Sequence, residues 1–271
     1  MLSATDKKWN SATTLYIARR LEEVASGRRI KVLDMGCGEG AVLDHLLDMK
    51  LDLYGYDFQH RRDALWTKYK DGVLGDFDDH IRIVDDERSI PFESDYFDVV
   101  YANQVFEHVK FIDRMFEESA RVLKPDGVLL ITLPLATYPV EAHLRIPFVH
   151  WIPPGGLRVQ YLRLFYATRL ARKKKGITAL QTAIDSDRYL YERTYYRFIN
   201  EIEAIAGYWF ESKGVETSQF IQAKADLSKS KGGIVGRSIG RILDQPGKVT
   251  EFIVTHLLNA AFCFKFPKVN P

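Results

Sequence analysis

The stretch that decides the fold is Val32-Leu33-Asp34-Met35-Gly36-Cys37-Gly38-Glu39-Gly40. It begins as an apolar strand, breaks into glycines at alternate positions, and resumes as a helical pattern at Ala41-Val42-Leu43-Asp44-His45-Leu46-Leu47. A strand that becomes a helix through glycines lets the backbone approach a ligand closely, because no Cβ intervenes. Further on, a second apolar stretch, Leu53-Tyr54-Gly55-Tyr56, delivers an acid, Asp57. Together these read as a nucleotide-type site at the carboxyl ends of a parallel sheet.

A dinucleotide and an adenosyl cofactor both suit a glycine turn followed by an acid. Here the glycines run Gly-x-Gly-x-Gly, and Asp34 lies two residues before the first of them. A carboxylate beside a pyrophosphate repels it, whereas a cation tolerates or prefers it. The sulfonium and amino groups of S-adenosylmethionine are such cations.

The remaining pattern alternates strands and helices. Helices are expected over 10–25, 41–50, 61–69 and 111–123, with strands over 30–33, 53–56, 81–84, 97–102 and 128–133. That alternation implies a parallel sheet covered on both faces, a Rossmann-like doubly wound α/β fold. Farther on, 157–170 and 189–210 read as helices, 215–221 as a sixth strand and 226–233 as a polar loop.

A chain of 271 residues can bury a sizeable core without disulfide staples. Its net charge of +2 makes no general case for nucleic acid. The two cysteines, Cys37 and Cys263, are far apart, and a reducing compartment is expected. Neither a signal-peptide core nor an apolar run of the roughly 20 residues that span a bilayer is visible, so a cytoplasmic protein is expected, at most peripheral to a membrane.

From about Lys31 to Pro134 the chain resembles the class I S-adenosylmethionine-dependent methyltransferases. The motifs that carry the likeness are the glycine turn, Tyr56-Asp57, and Asp86 before Ile90-Pro91-Phe92. Phe97-Asp98-Val99-Val100-Tyr101-Ala102-Asn103-Gln104-Val105-Phe106-Glu107-His108-Val109 and Leu123-Lys124-Pro125-Asp126-Gly127-Val128-Leu129 complete the set. The resemblance implies a seven-stranded sheet whose last strand, over 261–266, is antiparallel. It places Gly36, Gly38 and Gly40 under the methionine and ribose of S-adenosylmethionine, with Asp34 near its ammonium. Asp57 matches the acid that accepts the ribose hydroxyls, Phe58 can pack on the adenine edge, and Asp86 and Glu87 match the adenine-binding position. Asn103 and Gln104 would line the transfer channel. Methyl transfer is an in-line displacement, so the protein chiefly positions acceptor and methyl, and no metal is required. A hydroxyl acceptor profits from a base, and His108, His143 and His150 are the candidates by position. Asp98 and His45 read as structural, and Cys37 as a small turn residue.

Residues 1–134 are thus expected to form the cofactor-binding half, 135–190 an inserted lid over the acceptor, and 191–271 the remainder of the same domain. The lid is rich in aromatics and prolines, and its helix over 157–170 ends in Arg169, Arg172, Lys173, Lys174 and Lys175, which suits a solvated helix end, a membrane surface or a phosphate-bearing acceptor. The expected acceptor is a small-molecule or glycan-type compound methylated on oxygen. A lipid-like or quinone-like acceptor is the alternative, and a non-catalytic cofactor-binding subunit is the reading from another class.

Overall fold

The computed structural model describes residues 11–58, 61–85, 89–230 and 260–267. Helix α1 (Ala12–Ala25) starts at Ser11, whose side chain caps the Thr14 amide. It ends at Ser26 in a left-handed turn that returns its N–H to the Glu22 carbonyl. The chain then runs β1 (Lys31–Met35), α2 (Ala41–Leu46), β2 (Asp52–Phe58), α3 (Arg62–Tyr69), α4 (Phe77–His80) and β3 (Ile81–Val84). Next come β4 (Phe97–Asn103), α5 (Ile112–Val122) and β5 (Leu123–Leu133). After a short 3-10 turn (Val149–Trp151) follow α6 (Gly156–Ala167), α7 (Ala179–Arg193), α8 (Ile199–Trp209), β6 (Phe210–Val215), α9 (Thr217–Ser230) and β7 (Ala260–Pro267).

The strands form one seven-stranded sheet in the order β3-β2-β1-β4-β5-β7-β6. Strands β1 to β5 pair in parallel, and β7 lies antiparallel between β5 and β6. This is the doubly wound α/β architecture expected from the alternation, with the antiparallel strand where the family likeness places it. Strand β1 has β2 on one side and β4 on the other, so the order reverses there, and a crevice opens at the carboxyl ends of these strands.

Each face of the sheet carries its own core. On one, Leu15, Leu21, Leu43, Leu65, Tyr69 and Phe220 pack over Val32, Val99 and Leu130. On the other, Met115, Phe116, Ile202 and Ala206 pack over Leu33, Val100, Leu129, Phe262 and Phe264. Alternation along β1 and β4 divides the strand residues between the two cores, as a sheet buried on both sides demands. Asp98 accepts the Lys31 amide and the Lys124 ammonium, joining β4 to its two neighbours at the shift in register between Phe97 and Val99.

A third, smaller core lies off the sheet. Ile146, Val149, Leu162, Tyr166, Ala183 and Leu190 close α6 against α7. The pair is also held by Arg158, buried, whose Nε lies 2.5 Å from Asp187 Oδ1 and whose Nη2 donates to the Asp187 carbonyl.

Three sequence expectations change. The helix anticipated over 189–210 is two helices, α7 and α8. The break at Thr194–Phe198 gives the Tyr195 amide to the Glu107 carbonyl and aims Arg197 at the loop after β4, contacts that a continuous helix forgoes. The sixth strand lies at Phe210–Val215 and not over 215–221. Phe220, Ala223 and Leu227, all buried, instead follow helical spacing in α9, which also takes Asp226 to Ser230 out of the expected loop.

Candidate functional site

The β1–α2 turn supplies the floor of the crevice. Gly36, Gly38 and Gly40 all have positive φ, at 67°, 59° and 74°. A Cβ on Gly36 would lie 2.7 Å from Val105 Cγ2, and one on Gly40 only 2.1 Å from the Tyr69 hydroxyl. Nothing lies within 4 Å of a Cβ on Gly38, which faces open space. Two of the glycines therefore admit neighbouring protein, and the third leaves room for a ligand.

Beside this turn, Asp57 closes the end of β2. Its Oδ2 accepts the Gly38 amide at 2.7 Å and its Oδ1 the Phe58 amide at 2.7 Å. The remaining lone pairs of the two oxygens are spare for a ligand's hydroxyls. A cleft of about 600 Å³ opens over this corner. Gly36, Gly38, Asp57, Phe58 and Gln104 line it together with Tyr56, Val105, Val109 and Met115. His108, Tyr189 and Arg193 form its outer wall. Gln104, at φ 59°, turns the chain out of β4 while its amide donates to the Thr132 carbonyl.

Not every candidate reaches the cleft. Asp34 is buried beneath the turn at 2% exposure, and burial pushes its carboxyl up to about 8, with the nearby Asp57 charge adding to the rise. Gly40 packs on Tyr69, whose hydroxyl donates to the Gly40 carbonyl. Asn103 accepts the Thr132 hydroxyl at 2.8 Å and is not among the lining residues. His150 packs against Tyr196 with ring centroids 5.0 Å apart and the rings tilted at 56°; both its ring nitrogens are buried, with no hydrogen bond among the described residues. Asp86 and Glu87 lie outside the described residues.

His108 and His143 meet at the cleft wall with their Nε2 atoms 3.1 Å apart. His108 Nδ1 is 2.7 Å from the Arg193 carbonyl, and His143 Nδ1 is 2.8 Å from Glu141 Oε1. Burial alone would raise the Glu141 carboxyl, but bonds from His143, Tyr196 and the Leu144 amide hold it below the usual range. Burial likewise opposes protonation of His143, yet Glu141 wins and raises it. His108 is lowered by burial. Next to them Glu107 is fully buried, and burial pushes its carboxyl up to about 7.

The framework behind this wall was invisible in the sequence. Arg197, buried at 7% exposure, donates to the carbonyls of Phe106, Val109, Lys110 and Tyr195 and so fixes the loop carrying Glu107 and His108. Tyr196 donates to Glu141 from a segment 55 residues away. Only the spacing Glu141-x-His143 hinted at the pair, since a carboxylate two residues from a histidine can hold its ring. Tyr189 stood only as the first residue of the helix expected over 189–210.

A glycine-floored crevice at the reversal point of a doubly wound sheet, with a carboxylate at the end of the second strand, defines an adenosyl-type cofactor site. The methyltransferase-domain family matches residues 9–174, and the chain belongs to it, as a class I S-adenosylmethionine-dependent methyltransferase with S-adenosylmethionine as cofactor. The chain is 29% identical over 116 residues to the sterol 4-C-methyltransferase of Caenorhabditis elegans, a stretch covering 43% of this chain and 34% of that one. It is 24% identical over 203 residues to the ubiquinone biosynthesis O-methyltransferase of Sinorhizobium fredii, covering 73% and 74% of the two chains. Among solved structures, phosphoethanolamine N-methyltransferase 2 of Haemonchus contortus, in complex with S-adenosyl-L-methionine, superimposes with a TM-score of 0.51 at 16% identity, over 98% of this chain and 55% of that one. The match thus spans about a third of the sterol enzyme and just over half of the Haemonchus one.

Proposed function

We propose that the protein transfers the methyl group of S-adenosylmethionine to an oxygen of a small, largely apolar acceptor, lipid-like or quinone-like in character. In this reading 1–134 and 191–271 form the methyltransferase domain, and 135–190 is the lid over the acceptor. Asp57 accepts the ribose hydroxyls, Phe58 covers the adenine, Gly36 and Gly38 carry the methionine end, and Gln104 borders the transfer channel. The observation that carries the oxygen reading is the His108–His143 pair. Its imidazoles stand at the acceptor wall, with His143 held by a buried carboxylate as a general base must be. His108 lines the cofactor cleft and His143 adjoins it, so a hydroxyl held there passes its proton to the pair as its oxygen forms the new bond to carbon. The S–CH3 bond breaks, its electrons remain on sulfur, and S-adenosylhomocysteine leaves.

The apolar character is supported by the cleft wall of Val105, Val109, Met115 and Tyr189. It is also supported by the lid, which exposes Trp151, Leu157, Leu164 and Leu170 beside its basic run. Two of the similar proteins carry sterol and ubiquinone in their names. We therefore place the protein in the cytoplasm, with its lid against a membrane surface. No described helix is long and apolar enough to cross one. A glycan-type acceptor is the second reading, favoured by the Arg61 and Arg193 cations at the same cleft, which suit a phosphate.

Labelled methyl supplied as S-adenosylmethionine to a cell extract, then traced into lipid, sugar-nucleotide, protein and RNA pools, tests the acceptor. Label in the lipid pool supports the first reading, and label in the sugar pool the second. Cofactor binding with no labelled pool refutes both and favours a non-catalytic subunit. His143→Ala should lower turnover at saturating acceptor by roughly 100-fold or more while leaving cofactor affinity within about threefold. Unchanged turnover removes His143 as the base.

A further inference from the structure

Glu107, His108 and His143 each offer one ligand atom, and the three atoms lie within 4.8 Å of one another. The hydrogen bonds behind them leave an unusual arrangement. A carbonyl only accepts, so His108 Nδ1 carries a hydrogen toward the Arg193 carbonyl. His143 Nδ1 faces the buried Glu141 carboxylate and carries one too. With both rings neutral, each presents a bare Nε2 lone pair to the other across 3.1 Å. Beside them Glu107 is 0% exposed, and neither carboxylate oxygen has a hydrogen-bond partner among the described residues. Two facing lone pairs and an unpartnered buried carboxylate converge on one point, and a cation there satisfies all three.

We propose that Glu107, His108 and His143 bind one divalent transition-metal ion, such as Zn²⁺ or Mn²⁺, at the acceptor wall of the cleft. Metal–nitrogen bonds of about 2.0–2.1 Å separate two nitrogens by about 2.9 Å at the octahedral angle and about 3.4 Å at the tetrahedral angle. The 3.1 Å between the imidazoles lies between these values. Both histidines have their far nitrogens anchored, one on a carbonyl and one on a carboxylate, which is how ligating imidazoles are oriented and kept basic. Three protein ligands leave positions open toward the cleft that His108 lines. An acceptor hydroxyl on such a position is a stronger acid, so its proton leaves to solvent or to a neighbouring base before its oxygen takes the methyl. The use of the metal in transfer rests on the oxygen-acceptor reading, with the ion taking over from His143 as the group that activates the hydroxyl; its binding does not. This departs from the expectation that no metal is needed.

The test is equilibrium dialysis of the full chain, stripped with chelator, against Zn²⁺, with Co²⁺ as a spectroscopic stand-in whose visible bands report nitrogen and oxygen ligation. One ion per chain is expected in the wild type, with affinity lowered by about 100-fold or more in Glu107→Gln and in His143→Ala. S-adenosylmethionine binding by calorimetry is followed in the same samples. Retained cofactor binding certifies that each variant is folded, and failure of the wild type to bind cofactor counts against the cofactor site alone. Absence of stoichiometric Zn²⁺ in the wild type, or equal binding by a folded Glu107→Gln, overturns the proposal and leaves a proton shared between the two imidazoles.

Discussion

Replacing Asp57 tests the geometry on which the cofactor reading stands. The carboxylate is oriented by two short bonds from the amides of Gly38 and Phe58, each at 2.7 Å, which leave lone pairs facing the cleft. A hydrogen bond to a charged acceptor contributes about 1.5–3 kcal/mol. Two ribose hydroxyls would contribute twice that, but water replaces part of the loss at a cleft open to solvent. Asp57→Ala should therefore cost about 1.4–2.8 kcal/mol of cofactor binding, or ten- to hundredfold in Kd. Asp57→Asn should lie close to the alanine variant and not halfway. Its one oxygen can serve either the Gly38 amide or the ribose, and its NH2 then opposes a donor or displaces a hydroxyl's partner. Calorimetry with S-adenosylhomocysteine and with its 2′-deoxy analogue closes a thermodynamic cycle. The wild type should discriminate against the analogue, and Asp57→Ala should not. A change in Kd below about threefold, or a variant that still discriminates, would mean that the ribose lies elsewhere in the cleft.

Other substitutions separate the parts of the site. Gly40→Ala places a Cβ 2.1 Å from the Tyr69 hydroxyl and should lower stability by about 1–3 kcal/mol. Gly38→Ala meets no protein atom within 4 Å, so thermal denaturation should show a loss of only about 1 kcal/mol while cofactor affinity falls at least roughly tenfold; equal behaviour of the two variants would refute the division of roles. Arg197→Met leaves four carbonyls without their donor and should cost about 3 kcal/mol in urea unfolding; a loss under about 1 kcal/mol would show that the loop after β4 does not depend on it. Asp34, raised to about 8 in the fold against about 3.9 unfolded, keeps its proton in the native state across that interval. Its contribution is full below about pH 4, falls by at most about 1.4 kcal/mol per pH unit as pH rises to about 8, and is then gone. Asp34→Asn should remove one proton's worth of this slope, and an unchanged slope in stability measured from pH 5 to 8 would show that another group carries it.

What could be read in advance follows from how local each signal is. The β1–α2 turn and Asp57 were legible because glycine spacing and a strand-terminal acid are properties of a few consecutive residues, and the sheet order then brings them together within hydrogen-bonding distance. Strand β7 was anticipated through the family likeness, and the structure pairs it antiparallel with both β5 and β6. The break between α7 and α8 was not, since Tyr195 and Arg197 are ordinary helix residues by propensity, and only partners 88 to 91 residues away pull them out of a helix. The acceptor wall was opaque for the same reason. His108 and His143 are 35 residues apart; Glu141 is a sequence neighbour of His143, but Arg193 and Tyr196 reach the two rings from 85 and 53 residues away. In the proposed reading, cofactor chemistry is written into one strand, one turn and one acid, each specified by its neighbours in sequence. In the proposed reading, acceptor chemistry lies in contacts between the 135–190 lid and the loop after β4, which bring His143 onto His108 from 35 residues away. A mutation in the lid core, at Leu162 or Tyr166, should for that reason reach the histidine pair without touching it, whereas the Asp57 corner, built on the sheet, should not feel it.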